Sequence, residues 1–276
     1  MFNLNKRLVK ELPDGLALVQ RGLYYGDSLF ETIRVFEGRI PLMPMHGARL
    51  FRGLQAMGYH IPADWSAGFF ESEILRIAPE NARIRLTIWR APGGWYAPEN
   101  DTPHFLLSAE ELNTGGYEWF SEGIQLGLCE SVRLPVDAFS GLKTLNAPRY
   151  VAAAREARLK GWDDAILLNS RDRICEATSS NLFWVTGDTL FTPPLTDGCV
   201  TGVMRELLLA LTKAAGYEVI EKSATFADFS TADEVFLTNA VRGVRWVRNC
   251  EGKAFKNAKT AAIYDLLVRW IIEKLH

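Results

Sequence analysis

Two nine-residue runs of strict alternation constrain this chain most. Residues 28–36 put Leu29, Glu31, Ile33 and Val35 on one side of an extended strand and Ser28, Phe30, Thr32, Arg34 and Phe36 on the other. Ala82–Arg90 repeats the pattern, with Ile84, Leu86 and Ile88 opposite Arg83, Arg85, Thr87 and Trp89. A period of two does not suit a helix, so both runs predict strands with one packed face and one polar face. Between them, Pro44 suits a helix's first turn, and residues 45–57 carry Leu50, Leu54 and Met57 as an apolar stripe with Arg49 beside it. Residues 65–78 predict a second helix. A short apolar run at 16–19 reads as a strand, and Glu37-Gly38 predicts a hairpin turn into a strand over 39–43. A Pro92-Gly93-Gly94 turn leads through Trp95 and Tyr96 to a strand over 105–108. Together these make a small α+β unit.

The stretch 113–123 breaks periodicity and is rich in glycine, so it predicts a connection between domains. We read 1–114 as a small N-terminal domain, 115–122 as the connection and 123–276 as a larger C-terminal domain. The larger part opens with a strand at 124–130. A helix over 147–160 follows, with Gly161 as its C′ residue. Hairpins are predicted at 164–168 with 173–176 and at 181–185 with 190–192. The turn Thr201-Gly202 opens a strongly apolar helix. Strands at 217–221 and 234–238, a hairpin at 245–256 and an amphipathic helix at 258–275 complete the chain.

The chain has 276 residues and a formal charge of -2, with no basic block. That is enough for one large core or two modest ones, and it gives no reason to expect nucleic acid or an acidic membrane as a partner. No apolar run reaches the roughly 18 residues of a membrane helix, and the first ten residues do not read as a signal peptide. The four cysteines are far apart with no C-x-x-C pair. Neither a metal site nor a disulfide framework is signalled, and a cytoplasmic location is the expectation.

The residues with chemistry to offer cluster at 140–185. Lys143 lies in S-G-L-K-T-L-N, and Glu176 follows 33 positions later at the end of a strand-like run, just before a Ser-Ser-Asn turn. A lysine that acts as nucleophile or base needs partial burial, because desolvation disfavours its charged form. Each residue also has a plain reading, Lys143 as a surface lysine and Glu176 as a strand-end acid. Arg49 reads equally as a boundary arginine with its stem on the core. The Thr201-Gly202 turn reads either as an ordinary helix start or as an anion site, since the first amides of a helix lack partners.

Several motifs in order give a further reading. G-L-Y-Y-G-D-S-L-F-E-T-I-R-V at 22–35, H-G-A-R-L at 46–50, K-T-L-N at 143–146, G-V-M-R at 202–205 and F-L-T-N-A at 236–240 resemble the class IV, fold type IV, pyridoxal phosphate enzymes. That family includes branched-chain aminotransferases, D-amino acid aminotransferases and 4-amino-4-deoxychorismate lyases. The resemblance implies an α+β fold of two domains, a small N-terminal α/β sandwich and a larger C-terminal domain with a β-barrel-like core. It implies pyridoxal 5'-phosphate held covalently by Lys143, with Glu176 keeping a proton on the ring nitrogen. Arg49, the backbone amides of Val203 and Met204, and Thr238 would hold the phosphate, with Ser180 and Asn181 bracing the ring. Tyr25 and Phe30 would wall the substrate pocket, and Asn239 and Ala240 would face the substrate carboxylate.

Arg85 matches the position where branched-chain aminotransferases carry an arginine for the side-chain carboxylate of glutamate. Its strand face fits a pocket-lining cation and a solvent-exposed one equally. The Arg-x-His of D-amino acid enzymes and the second arginine of the lyases are both absent, because the loop reads P-G-G-W-Y-A-P-E-N. The expected activity is amino-group transfer between a small amino acid and a 2-oxo acid, with glutamate and 2-oxoglutarate as one pair. The alternative is a 4-amino-4-deoxychorismate lyase releasing pyruvate and 4-aminobenzoate. A non-catalytic binding domain of the same fold is the remote alternative. The resemblance also implies a homodimer.

Overall fold

In a computed structural model, described for residues 2–4, 7–9 and 19–276, the chain builds two separate sheets with helices packed on them. A two-stranded ribbon of β1 (Phe2–Leu4) and β2 (Arg7–Val9) precedes them. The first large element is a three-stranded antiparallel sheet, ordered β3 (Ser28–Val35), β4 (Ala82–Arg90) and β5 (Pro103–Glu111). The alternation has the predicted consequence: Leu29, Ile33, Val35, Ile84, Leu86 and Ile88 are all buried. They pack with Leu50 and Leu54 of α2 (Met43–Ala56) and Phe70 and Ile74 of α3 (Ala67–Leu75). The alternate positions Phe30, Thr32, Arg85 and Thr87 are only half-buried, so the other face of this sheet is available to the site.

Three local readings need correction. The 39–43 segment is not a strand. Arg39 makes an isolated bridge with Phe36 across the tight turn at Glu37 and Gly38, whose φ angles are 47° and 73°. The Met43 amide then donates to the Ile40 carbonyl, which winds the chain straight into α2. The second helix is shorter than 65–78, because the Ser66 side chain caps it by accepting from the Phe69 amide. A short helix, α1 (Gln20–Tyr25), was not anticipated and ends on Gly26 in a left-handed conformation. Residues 16–18 of the run at 16–19 lie outside the described residues, and Val19 precedes α1.

The second sheet has nine strands. Eight follow the order β11 (Glu218–Glu221), β10 (Thr189–Thr192), β9 (Asn181–Thr186), β12 (Glu234–Asn239), β13 (Gly243–Cys250), β6 (Ile124–Leu128), β7 (Asp164–Leu168) and β8 (Ile174–Ala177), and β14 (Lys253–Ala254) pairs with β13. The path ends at β8, yet a four-residue turn, closed by the Ala177 amide on the Ser180 carbonyl at 2.8 Å, carries the chain directly into β9. That short link requires the sheet to curl into a half-barrel, and it sets Glu176 beside Asn181. One face packs on α5 (Val203–Ala214) and the long helix α7 (Ala258–Leu275) through Phe183, Phe236, Leu207, Ile263 and Leu267. The other face buries Ile166, Leu182, Trp184 and Leu237 with Phe229 of α6 (Phe226–Phe229). Between β6 and β7 runs α4 (Pro148–Lys160), closed by Gly161 at φ 72° as its spacing predicts.

Phe183 and Phe236 are cross-strand partners whose rings stack 5.0 Å apart, both fully buried. Truncating either leaves a cavity that the two helices cannot fill. Phe236→Ala is therefore expected to cost about 3–5 kcal/mol of unfolding free energy. Equilibrium denaturation in urea checks this, and a loss below about 1 kcal/mol would show that the pair is not central to the core.

Candidate active site

Lys143 reaches its place through backbone pairing. One edge of β3 binds β4, and the other is taken by residues 143–145. The Phe30 amide donates to the Lys143 carbonyl at 2.9 Å, and the Leu145 amide donates to the Ser28 carbonyl at 3.2 Å. The lysine loop is thus an added edge of the first sheet. On the sheet's free face, the Lys143 ammonium lies 4.4 Å from the centroid of the Phe30 ring. The Arg85 guanidinium lies 4.2 Å from the same ring. The Arg85 side chain is half-buried and, Phe30 apart, has neither a hydrogen bond nor an ion pair among the described residues. Its guanidinium thus shares the Phe30 ring with the Lys143 amine. Lys143 as a residue is half-buried, while its amine end is enclosed. Burial, helped by Arg49, lowers its ammonium to about 8 against the raising effect of Glu31 and Glu176.

Glu176 arrives from the other sheet and is fully enclosed. One carboxylate oxygen accepts from the Tyr150 hydroxyl at 2.6 Å. The other accepts from the Val200 amide at 3.1 Å and from Asn181 Nδ2 at 3.2 Å. Burial raises this acid to about 7, although Tyr150, the Val200 amide, Lys143 and Arg205 all favour its charged form. Asn181 also donates to the Val200 carbonyl at 2.9 Å, so one side chain braces both the acid and the loop before α5.

That loop ends at Gly202, the N-cap residue of α5, which has no side-chain cap. The amides of Val203 and Met204, the first of the helix, therefore lack intrahelical partners. Glycine is required here for space: a Cβ would lie 1.8 Å from Asn181 Oδ1. Thr238 is the cross-strand neighbour of Asn181, and its buried hydroxyl has no hydrogen-bond partner among the described residues. Arg49 of α2 closes the same corner by donating to the Thr201 carbonyl at 2.9 Å. A small cavity lies among Phe30, Glu31, Arg49, Gly141, Lys143 and Thr201.

Arg49 is itself held. Its Nε donates to Glu31 Oε1 at 2.8 Å and its second terminal nitrogen to Oε2, a two-pronged pairing. His46, one turn earlier on α2, donates from Nδ1 to Glu31 Oε2 at 2.7 Å. Burial lowers the His46 pKa against the pull of Glu31, which keeps the ring neutral. Burial alone would raise Glu31, but Arg49 and His46 outweigh it and hold the carboxyl at about 2.

The turn after β12 is tied to the rest by three side chains. Asn239 donates from Nδ2 to Ser180 Oγ at 3.0 Å and accepts from the Val241 and Arg242 amides. The Ala240 carbonyl accepts from the Tyr117 hydroxyl at 2.8 Å. Arg34, on the same strand face as Phe30, donates to the Val241 carbonyl at 2.6 Å and to the carbonyls of Thr114 and Gly116. Tyr25 stands apart from this group. It ends α1, its ring lies 5.4 Å from Tyr96, and it helps to line a separate cavity of about 190 Å³ with Gln20, Arg21, Tyr24 and Trp95.

The structure therefore gathers Lys143, Phe30, Arg85, Arg49, Glu176, Asn181, Val203, Met204 and Thr238 around one seam between the sheets, with Ser180, Asn239 and Ala240 on the adjoining turn. Sequence reasoning missed Glu31 and Tyr150. Glu31 is the single acid among the apolar positions of β3, and His46 and Arg49 stand three apart on the facing helix. Tyr150 begins the inward stripe of α4 that continues through the buried Ala153 and Ala157.

Comparison with known proteins gives the family and the fold. Residues 28–250 match the family described as Amino-transferase class IV, and the chain belongs to it. A putative branched-chain-amino-acid aminotransferase of Methanocaldococcus jannaschii is 29% identical over 94% of this chain and 91% of its own. An aminodeoxychorismate lyase of Vibrio harveyi is 32% identical, covering 88% of this chain and 89% of its own. The crystal structure of an aminotransferase from Brucella abortus bound to the cofactor PLP has a TM-score of 0.81 at 25% identity, covering 96% of this chain and 94% of that one. The protein is thus a fold type IV enzyme of a pyridoxal-phosphate-dependent family, an aminotransferase or an aminodeoxychorismate lyase. No helix among the described residues is long and apolar enough to cross a membrane.

The two buried acids have opposite pH signatures. Glu31, held at about 2, contributes stability above its unfolded value near 4.5 that is lost as pH falls toward 2. Glu176, raised to about 7, contributes stability below about 4.5 that is lost as pH rises through 7. Glu31→Gln should cost about 3–5 kcal/mol at pH 7 by unpairing Arg49, with the loss shrinking below pH 4.5. Glu176→Gln should gain on the wild type as pH rises from 5 to 8. Denaturation from about pH 3 to 8 checks both; parallel pH curves would contradict the assignment.

Proposed function

We propose that this protein transfers an amino group between a small amino acid and a 2-oxo acid, with glutamate and 2-oxoglutarate as one of its pairs. The observation that carries this reading is Arg85. A half-buried guanidinium without a hydrogen bond or ion pair, sharing the Phe30 ring with Lys143, suits the second carboxylate of a dicarboxylic substrate. The residues fit pyridoxal phosphate. The unpartnered Thr238 hydroxyl, the uncapped amides of Val203 and Met204 and the clamped Arg49 would hold its phosphate. Lys143 would hold it covalently, and Glu176 would keep a proton on the ring nitrogen. Ser180 and Asn181 would brace the ring, Asn239 and Ala240 would receive the substrate's α-carboxylate, and Phe30 would wall the pocket, whereas Tyr25 lines the separate cavity.

When bound, this cofactor supplies an electron sink for the charge that develops on loss of the α-proton. Lys143 is the base that takes this proton. Its lowered pKa leaves a substantial neutral fraction near physiological pH, which a free lysine lacks. Asn181 holds Glu176 in place, and the enclosure of Glu176 keeps water from competing for the proton it would hold on the ring nitrogen. The reading extends to a homodimer and to a division of the chain at 115–122.

A lyase reading has its own support in the 32% identity to the Vibrio harveyi enzyme and in the K-T-L-N motif. Against it, Trp95 and Tyr96, both largely exposed, occupy the loop positions after Gly94 where lyases carry a second arginine. Measuring pyruvate release from aminodeoxychorismate beside 2-oxo-acid-dependent amino transfer separates the two. Pyruvate release without transfer would overturn our reading.

Lys143→Ala should fold normally, give no visible absorption band with pyridoxal phosphate and lose at least about 10³-fold in turnover. Near-wild-type turnover would remove Lys143 from the chemistry. Arg85→Leu should raise KM for glutamate about tenfold or more, by about 1.5–3 kcal/mol for a lost charged hydrogen bond. KM for a monocarboxylic donor should change little; equal effects on both donors would contradict the role.

A further inference from the structure

Tyr150 has no place in the reading above, yet it makes the shortest contact to the Glu176 carboxylate, 2.6 Å to Oε1. It is the third residue of α4 and lies seven positions after Lys143. The start of this segment is fixed to β3 by backbone hydrogen bonds, and Tyr150 fixes its far end to β8 through the acid. The same short stretch therefore carries the amine of the site and grips the acid opposite. Glu176 Oε2 is already shared by the Val200 amide and Asn181 Nδ2. Among the described residues, Oε1 has only the phenol.

From this geometry we infer that Tyr150 is a positioning residue, whose hydroxyl orients Glu176 and keeps it ionised for a protonated ring nitrogen. The inference rests on the functional reading given above. A donor to a buried carboxylate stabilises the charged form. The groups facing Glu176 are Tyr150 from α4, Lys143 from the loop, Arg205 from α5, Cys199 from the loop before α5 and Cys175 from its own strand. Burial opposes ionisation of Glu176, and burial likewise raises the thiols of Cys175, to well above its usual value, and Cys199, to about 12, which leaves both neutral. With both cysteines uncharged, removing the phenol shifts the balance toward the neutral acid.

The test compares wild type, Tyr150→Phe, Glu176→Gln and the double variant. Pyridoxal phosphate dissociation constants are read from tryptophan fluorescence, and the acid limb of kcat/KM from its pH profile. Tyr150→Phe should weaken cofactor binding about tenfold and move the acid limb upward by about one pH unit. In the Glu176→Gln background the same substitution should change cofactor binding less than about twofold, because its effect runs through the acid. A purely structural tyrosine would lower the melting temperature equally in both backgrounds and leave the acid limb in place, which would overturn the inference. Unchanged binding and pH profile in Tyr150→Phe would also overturn it while leaving the functional reading intact. A wild-type protein that takes up no pyridoxal phosphate overturns both.

Discussion

Two backbone hydrogen bonds, between Phe30 and Lys143 and between Leu145 and Ser28, hold this molecule's site together. They join a loop of the larger sheet to the open edge of the smaller one. An unpaired edge is a ready template for another strand, and here the chain itself supplies that strand. The consequence is chemical as well as structural. A lysine delivered on a sheet edge has a fixed starting point, so its amine meets Phe30 and Arg85 at set distances.

Around that edge the charges are arranged in two compartments. Glu31, Arg49 and His46 form a buried group in which the acid is held ionised by the guanidinium it grips. Glu176 lies in the other compartment, where burial pushes the acid toward neutrality and three donors push back. Lys143 stands between them and feels both. Burial and Arg49 lower it, and the two acids raise it. Buried groups shifted in this way by desolvation and charged neighbours mark a candidate functional site. The Glu31 pairing serves a different end, since it fixes a guanidinium at the Thr201 turn instead of tuning an acid.

Much of this was legible in the chain. The alternation of 28–36 and 82–90 identified both strands and the face each buries, because a period of two admits no other packing. Gly161 and Gly202 marked a helix end and a helix start. The site residues were recognisable as motifs, but their meeting was not, because Lys143, Glu176 and Thr238 lie on segments that only the curl of the nine-stranded sheet brings together. Arg85 illustrates the limit: alternation gave its face, and only the structure gave what that face looks upon. Glu31 was hidden by its own strand, where a period of two cannot tell a buried acid from an apolar neighbour. The strand expected at 39–43 failed because Ile40 and Leu42 are buried by a turn into α2, which alternation alone imitates.

The central claim is that Lys143 is the amine that binds the cofactor. Reducing the protein with borohydride in the presence of pyridoxal phosphate, then mapping the phosphopyridoxyl group by peptide mass spectrometry, tests it most directly. The account predicts a single modified lysine at position 143, at one group per chain. Labelling spread over surface lysines with Lys143 unmodified would contradict it.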